Sequence, residues 1–420
     1  MDKAILIGLD LGTYNTEASL LELESIAVAL NIEVVATFTQ KLKMPNIKTY
    51  VGSGKIAEVK KAITFLKATM VIFDDELSPA QIRNLEEILD TQIIDRSFLI
   101  LSIFTERAKT KSATLEVSLA QQKYLLPRLV GMRSSLSRQG GGSYNAKGPG
   151  ETKLELDRRL IVRNIAKLEK AIKRLNRQKR TSRKARTISQ IPIVSLVGYT
   201  NAGKSATLNS LIKLLNLQSN LVFEEDLLFA TLDTTARKIV KKGYPAFVLT
   251  DTIGFLTRLP HAFINSFQST LSEVANSDLI LHIIDGTHQQ KELHEQTTNE
   301  VLSELNCGEI NTLKVYTRLD LIDKTKKRPG FWISNKTLEN LNLLMELIYE
   351  NTFGKELIAK LRVPYNKQKI VHTLNEQTRI LDTKYENNYI EIDVRLFEKQ
   401  INHFQDFIYR TINSTRKNTG

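Results

Sequence analysis

The sequence predicts an α/β protein built from four segments. They are an N-terminal parallel α/β domain (1–100), a long basic helical hairpin (101–189), a second α/β domain of the P-loop kind (190–355) and a small C-terminal α+β domain (356–420). Three observations carry this. Apolar strand-like runs alternate with amphipathic helical stretches over the first hundred residues and again from about 190. Between those regions lie two helical stretches separated by a glycine-rich loop at 140–150. A phosphate-loop spacing then follows the first strand of the second α/β region.

In the first segment, residues 4–8, 33–39, 70–73 and 92–94 read as strands. Helical periodicity fills 19–30, 54–67 and 78–89, the last opening on the start signal Ser78-Pro79. Ile7-Gly8-Leu9-Asp10-Leu11-Gly12-Thr13-Tyr14-Asn15-Thr16 resembles the first phosphate motif of actin-like and Hsp70-like ATPases. That motif needs a second strand at once, whereas 17–30 has helical spacing, so no second nucleotide site is expected. Residues 101–135 and 151–186 read as two long helices. In the second, Ile161, Ile165, Leu168, Ile172 and Leu175 form a seam for a neighbouring helix. The glycines and Pro149 between them forbid helix and make an extended tip. The C-terminal segment reads strand, helix, hairpin, helix, with the hairpin at 379–395 turning on Asn387-Asn388.

Composition narrows the function classes. Of 420 residues, 42% are hydrophobic and 25% charged, which is globular rather than disordered. No apolar run approaches the roughly 20 residues of a membrane helix. Residues 1–10 read as a strand rather than a leader, and the single Cys307 excludes an internal disulfide and a cysteine zinc site. His261, His282, His288 and His294 lack zinc-ligand spacing. A cytoplasmic protein is the expectation. Net charge is +13, and residues 157–186 hold thirteen Lys and Arg against only Asp157 and Glu169. Arg158, Arg159, Arg174, Arg177, Lys179, Arg180, Arg183 and Lys184 are the candidate contacts to a polyanion, RNA above all. A solvated coiled-coil face is the rival, but such faces normally mix both signs.

The nucleotide motifs come in functional order. Gly198-Tyr199-Thr200-Asn201-Ala202-Gly203-Lys204-Ser205 lies between an apolar strand and a helix. Its glycines let backbone N–H groups turn onto phosphate oxygens, and the helix start adds its positive end. Lys204 is placed for the β and γ phosphates, and Ser205 supplies a hard oxygen to Mg²⁺. Phe229-Ala230-Thr231-Leu232-Asp233 falls where a switch loop belongs, with Thr231 as second Mg²⁺ hydroxyl. Asp251-Thr252-Ile253-Gly254 ends a strand, so Asp251 can hold a water of the Mg²⁺ shell and Gly254 can donate to the γ-phosphate. Lys204, Thr231 and Gly254 are the candidate catalytic residues.

Asp320 in Thr317-Arg318-Leu319-Asp320 can accept two guanine donors, and Ser334-Asn335-Lys336 can cover the base. The pattern Asn-Lys-x-Asp would be usual, so the short Thr317 is expected to weaken guanine binding. Phe255 stands where a water-orienting Gln is common and cannot orient water, so turnover should be slow and partner-dependent. Asn201 matches GTPases that use K⁺, and serves equally as a turn residue.

Taken together, these motifs resemble the HflX family of ribosome-associated GTPases over nearly the whole chain. The resemblance also rests on Thr49–Lys55 (TYVGSGK), Val71-Ile72-Phe73-Asp74-Asp75-Glu76-Leu77-Ser78-Pro79-Ala80-Gln81 and Asp95-Arg96. Leu119-Ala120-Gln121, Leu126-Pro127-Arg128-Leu129 and the run from Gly148-Pro149-Gly150 to Arg158-Arg159 add to it. Thr317-Arg318, Thr234-Thr235-Ala236 and Ser118 depart from the family pattern. The resemblance implies a GTPase domain with Mg²⁺ on Ser205 and Thr231. It implies binding of GTP and GDP and of the large (50S) ribosomal subunit with its rRNA, in splitting, recycling, assembly or translation. A monomer off the ribosome is expected. Two rivals are a nucleotide-dependent RNA-binding switch with little hydrolysis and an ATP-dependent RNA-remodelling enzyme.

Overall fold

A computed structural model describes residues 2–12, 14–129, 153–188, 191–215, 235–252, 254–258, 274–323 and 329–413. The chain forms two compact units. The first is Met1–Ser182 with Asp226–Asp233 and Thr257–Thr270; the second is Arg183–Glu225, Thr234–Leu256 and Leu271–Gly420.

The first unit opens with β1 (Asp2–Asp10), α1 (Thr16–Ala29), β2 (Ile32–Lys41), α2 (Ser53–Leu66), β3 (Met70–Phe73), α3 (Pro79–Leu89) and β4 (Gln92–Asp95). The sheet order is β2-β1-β3-β4, all parallel. The central strands β1 and β3 are near-continuous apolar runs because both of their faces are covered. Asn15 caps α1 by accepting from Ala18 N, and Ser78 with Gln81 forms the capping box that starts α3. A helix and a parallel strand follow β1, so the hairpin of the actin-like motif is absent.

The expected first long helix of the hairpin is instead two helices, α4 (Arg96–Arg107) and α5 (Lys111–Arg128). The chain extends at Ala108 and restarts where Thr110 accepts from Ala113 N. The apolar face of α4, with Leu99, Ile100, Ile103 and Phe104 buried, belongs to the core of the unit rather than to a projecting arm. Helix α6 (Lys153–Ile188) follows as expected. Its seam residues Ile161, Ile165, Leu168, Ile172 and Leu175 are half-buried, and Lys123 pairs with Glu169 at 2.9 Å. The glycine-rich tip lies outside the described residues.

The second unit contains β5 (Ile193–Val197), α7 (Lys204–Leu214), β6 (Thr235–Ile239), β7 (Phe247–Asp251), β8 (Leu279–Asp285), α8 (Lys291–Glu304), β9 (Thr312–Thr317), β10 (Phe331–Trp332) and α9 (Leu341–Phe353). Sheet order is β10-β9-β8-β5-β7-β6, parallel except for β6 against β7. Strand order reverses direction between β5 and β8, so a ligand crevice opens at the carboxyl ends of these two strands.

A smaller sheet completes this unit: β11 (Glu356–Pro364), α10 (Gln368–Gln377), β12 (Arg379–Tyr385), β13 (Tyr389–Phe397), α11 (Glu398–Phe404) and β14 (Ile408–Asn413). Its order, β12-β13-β11-β14, is that of a split βαβ fold. The strand β14 was not expected. It is an edge strand with Tyr409, Arg410 and Thr411 exposed, so its sequence carries little apolar alternation. An aromatic cluster joins this sheet to the larger one: Tyr349 lies 4.7 Å from Tyr244 and 5.7 Å from Phe397 between ring centroids. Gly243 N also donates to Glu376 O at 2.9 Å.

Candidate functional site

Residues 198–205 sit in the crevice beyond β5, as their spacing requires. Gly198 and Gly203 have φ of +151° and +94°. A Cβ on Gly198 would lie 2.1 Å from the carbonyl oxygen of Ile283, so no side chain fits there. Lys204 opens α7 and is buried, its Nζ donating to Gly198 O at 3.1 Å and Tyr199 O at 2.7 Å. Burial lowers its pKa to about 8, while the charge of Asp251 pulls the other way. The ammonium is thus held in a ring of carbonyls, and anionic oxygens brought to the loop compete for it.

Ser205 Oγ donates to Asp251 Oδ2 at 2.6 Å, and Asp251 is fully buried at the end of β7. A hydroxyl and a carboxylate converging this closely make a hard-oxygen set that fits Mg²⁺. Among the described residues no cluster of three or more His, Cys, Asp or Glu could hold a metal. The hydroxyl–carboxylate pair is therefore the metal candidate. Thr231, with Phe229, Ala230, Leu232 and Asp233, lies outside the described residues, as does Ile253.

Gly254 packs against the loop: a Cβ there would meet Thr200 Cα at 2.8 Å and Lys204 Nζ at 3.0 Å. Its neighbour Phe255 pairs with the loop through its backbone, donating to Gly198 O at 3.1 Å and accepting from Thr200 N at 2.8 Å. The Phe255 ring is buried, so it anchors the segment and faces no solvent. The Thr200 hydroxyl is buried nearby with no hydrogen-bond partner among the described residues, as a donor awaiting an anionic ligand would be.

On the base side, Thr317 is buried at the end of β9 and its Oγ1 donates to Ala202 O at 2.9 Å and Ile284 O at 3.2 Å. The short side chain therefore still ties β9 to the phosphate loop. Arg318, with φ of +62°, pairs with Asp285 at 3.2 Å and donates to Asn201 O at 3.4 Å. Asp320 accepts from Ser334 Oγ at 2.6 Å, which holds its carboxyl below the usual range. The carboxylate remains accessible to solvent and ionised, as a guanine acceptor must be. Leu319 N donates to Ile333 O, and Asn335 Nδ2 to Thr207 Oγ1 at 3.0 Å, which brings 317–320 and 334–336 to one rim. Asn201 has φ of +59°, a left-handed conformation that Asn tolerates in a turn.

Two contacts went unread in the sequence. Tyr199 stacks on His294 with centroids 3.7 Å apart, and Phe255 bridges to Tyr199. Neither has a periodic signal, because each joins segments distant in the chain. Far from the loop in sequence, α6 presents Arg158, Arg159, Arg174 and Arg177 on its exposed face. The side chains of Lys179, Arg180, Arg183 and Lys184 lie outside the described residues.

The rim geometry gives an expected result. GDP should bind at least tenfold tighter than ADP, about 1.4 kcal/mol, because Asp320 can accept two hydrogen bonds from guanine that adenine cannot offer. Calorimetry with both nucleotides checks this, and equal affinities would remove Asp320 from the base site.

Three family models match the chain. One described as GTP-binding GTPase N-terminal covers residues 17–105, and one described as GTP-binding GTPase middle region covers 107–186. One described as 50S ribosome-binding GTPase covers 193–316. A GTPase HflX from Caldanaerobacter subterraneus subsp. tengcongensis is 39% identical, over 93% of this chain and 90% of its own length. One from Flavobacterium psychrophilum is 42% identical over 76% of each chain, and one from Escherichia coli is 36% identical over 86% of each. The crystal structure of an SsGBP–GDP complex aligns over 84% of this chain and 98% of its own, with a TM-score of 0.46 and 24% identity.

Proposed function

This chain belongs to the HflX family of GTPases, and from that premise we infer an enzyme that hydrolyses GTP to GDP and phosphate on the large ribosomal subunit. The observation that carries the reaction is the convergence of Lys204, the Ser205–Asp251 pair and Gly254 on one glycine-lined loop at the sheet's crevice. Lys204 would leave the carbonyls of Gly198 and Tyr199 for the β and γ oxygens, where its charge offsets the negative charge that shifts toward the leaving group. The N–H of Gly254 would hold the γ-phosphate in line for attack. Ser205 and, through a water, Asp251 would hold Mg²⁺, which would supply neutralisation of the phosphate charge. Thr231 supplies the second hydroxyl of that site in this reading. Phe255 buries its ring and offers no group to the attacking water, so the intrinsic rate is slow and the ribosome raises it.

The ribosomal partner in this reading is RNA, met by the exposed cations of α6. Eight of its Lys and Arg are named above, and the four whose side chains are described are all solvent-facing. No helix among the described residues is long and apolar enough to cross a membrane. The protein works as a monomer in the cytoplasm, and K⁺ held at Asn201 accelerates the reaction on the same loop.

Hydrolysis of GTP and of ATP, each with and without 50S subunits, tests the whole reading. Faster GTP turnover on subunits is expected. Subunit-independent turnover would detach the reaction from the ribosome, and equal use of ATP would overturn the base assignment.

A further inference from the structure

Gly203 closes the phosphate loop at φ of +94° and stands at the N-terminus of α7 with no side chain to cap the helix. Glycine adopts such a torsion without strain but has nothing of its own to keep it there. Its neighbours must therefore fix it. Two side chains converge on it from the base side. A Cβ on Gly203 would lie 3.4 Å from Asn335 Nδ2 and 3.5 Å from Thr317 Cγ2, so an amide and a methyl close off the same point.

The donors at this point are unevenly shared. Thr317 Oγ1 lies 2.9 Å from Ala202 O and 3.2 Å from Ile284 O, yet a hydroxyl carries one proton and serves one carbonyl at a time. Asn335 brings two amide protons. Its Nδ2 donates to Thr207 Oγ1 at 3.0 Å, and that hydroxyl donates on to Gly203 O at 2.8 Å. The same nitrogen lies 3.4 Å from Gly203 O. Hydrogen bonds linked in this way polarise and strengthen one another. The backbone that delivers the amide is itself held. Ser210 Oγ, on α7, donates to Asn335 O at 3.1 Å, and Ile333 N donates to Tyr316 O at 2.8 Å on β9. Asn335 Oδ1, by contrast, is buried with no hydrogen-bond partner among the described residues. A buried acceptor left unmade costs stability and offsets what the donors gain. Asparagine at 335 thus adds little to the stability of the fold, and what it contributes is a brace on the loop.

We propose that Asn335 is a positioning residue for the nucleotide: its amide holds Gly203 and the first turn of α7 in the shape that receives the phosphates, a task the short Thr317 cannot complete alone. The brace presupposes that residues 198–205 receive the phosphates of a guanine nucleotide, the reading proposed above. Positions 317 and 335 also exclude one another as sources of the amide. Thr317 is buried, and an Asn there would carry its own amide toward the point that Asn335 already fills. Close-packed interiors do not take added atoms without strain. The amide comes from 335 or from 317, not from both.

Calorimetry with GDP and with ADP decides this on the full chain in four forms: wild type, Asn335→Ala, Thr317→Asn and the double variant. Asn335→Ala should weaken both nucleotides by roughly fivefold to tenfold, the scale of one net hydrogen bond. The ratio of the two affinities should stay within about twofold, because the brace acts on the phosphate side that GDP and ADP share. Thr317→Asn alone should not tighten GDP. The double variant should return to within about twofold of wild type, since the amide then arrives from 317. Tm of nucleotide-free Asn335→Ala should stay within about two degrees of wild type, which separates positioning from folding. The proposal is overturned by wild-type affinity in Asn335→Ala, by a loss confined to GDP, by a larger fall in Tm, by tighter GDP in Thr317→Asn, or by a folded double variant no better than Asn335→Ala. Where Thr317→Asn does not fold, the affinities and Tm of Asn335→Ala decide alone. Wild type that binds neither nucleotide overturns the GTP site along with the brace, whereas wild type that binds GDP beside unchanged variants overturns the brace only.

Discussion

Lys204→Ala abolishes GTP turnover, with an expected loss of at least about a hundredfold to a thousandfold in kcat, the scale on which single preorganised charge-stabilising groups act. The lysine is buried at the start of α7 and, among the described residues, its ammonium donates to carbonyls of its own loop, so its removal breaks no direct ion pair. The fold should persist, visible as an unchanged circular dichroism spectrum. Single-turnover hydrolysis on 50S subunits is the measurement. Residual turnover above a tenth of wild type would show that the charge on the transferred phosphoryl group is offset elsewhere.

Binding of the large subunit should fall steeply with salt, and a variant of α6 should flatten that dependence. Each phosphate neutralised contributes roughly 0.7 to 0.9 to the slope of log affinity against log salt. Replacing Arg174, Arg177, Lys179 and Arg180 by Gln should therefore reduce the slope by about three and weaken binding roughly 10²- to 10³-fold at low salt. GTP binding should be untouched, because the helix and the phosphate loop are distinct sites. Deleting residues 141–146, a stretch without charge, should barely alter the slope yet impair action on assembled ribosomes. Sedimentation binding across a salt series reads both variants. A charge variant with unchanged slope would make α6 a solvated coiled-coil face.

Much of the architecture was legible because it rests on local rules. The parallel strands announced themselves as apolar runs between turn signals, and Ser78-Pro79 marked a helix start that its capping box confirms. The phosphate loop was legible for a stronger reason: Gly198 faces the Ile283 carbonyl at a distance no Cβ could occupy, so chemistry and packing select one residue. What escaped were features set by distant partners. The break at Ala108 depends on the apolar face of α4 being claimed by the core, and β14 is held by backbone pairing with β11. The weakness expected from Thr317 illustrates the same limit. Its side chain is too short to imitate Asn, yet the close approach of β9 to the loop lets the hydroxyl reach Ala202 O.

The aromatic cluster of Tyr244, Tyr349 and Phe397 has a mechanical consequence. Packing across this cluster resists rotation of the small C-terminal sheet against the strands that carry the nucleotide loop. The sheet extends them as a stiff arm. Between β14 and β12 lie three strand spacings, about 14 Å. A tilt of the nucleotide-bearing strands by a few degrees would therefore reach the arm's outer margin as a displacement that grows with its reach.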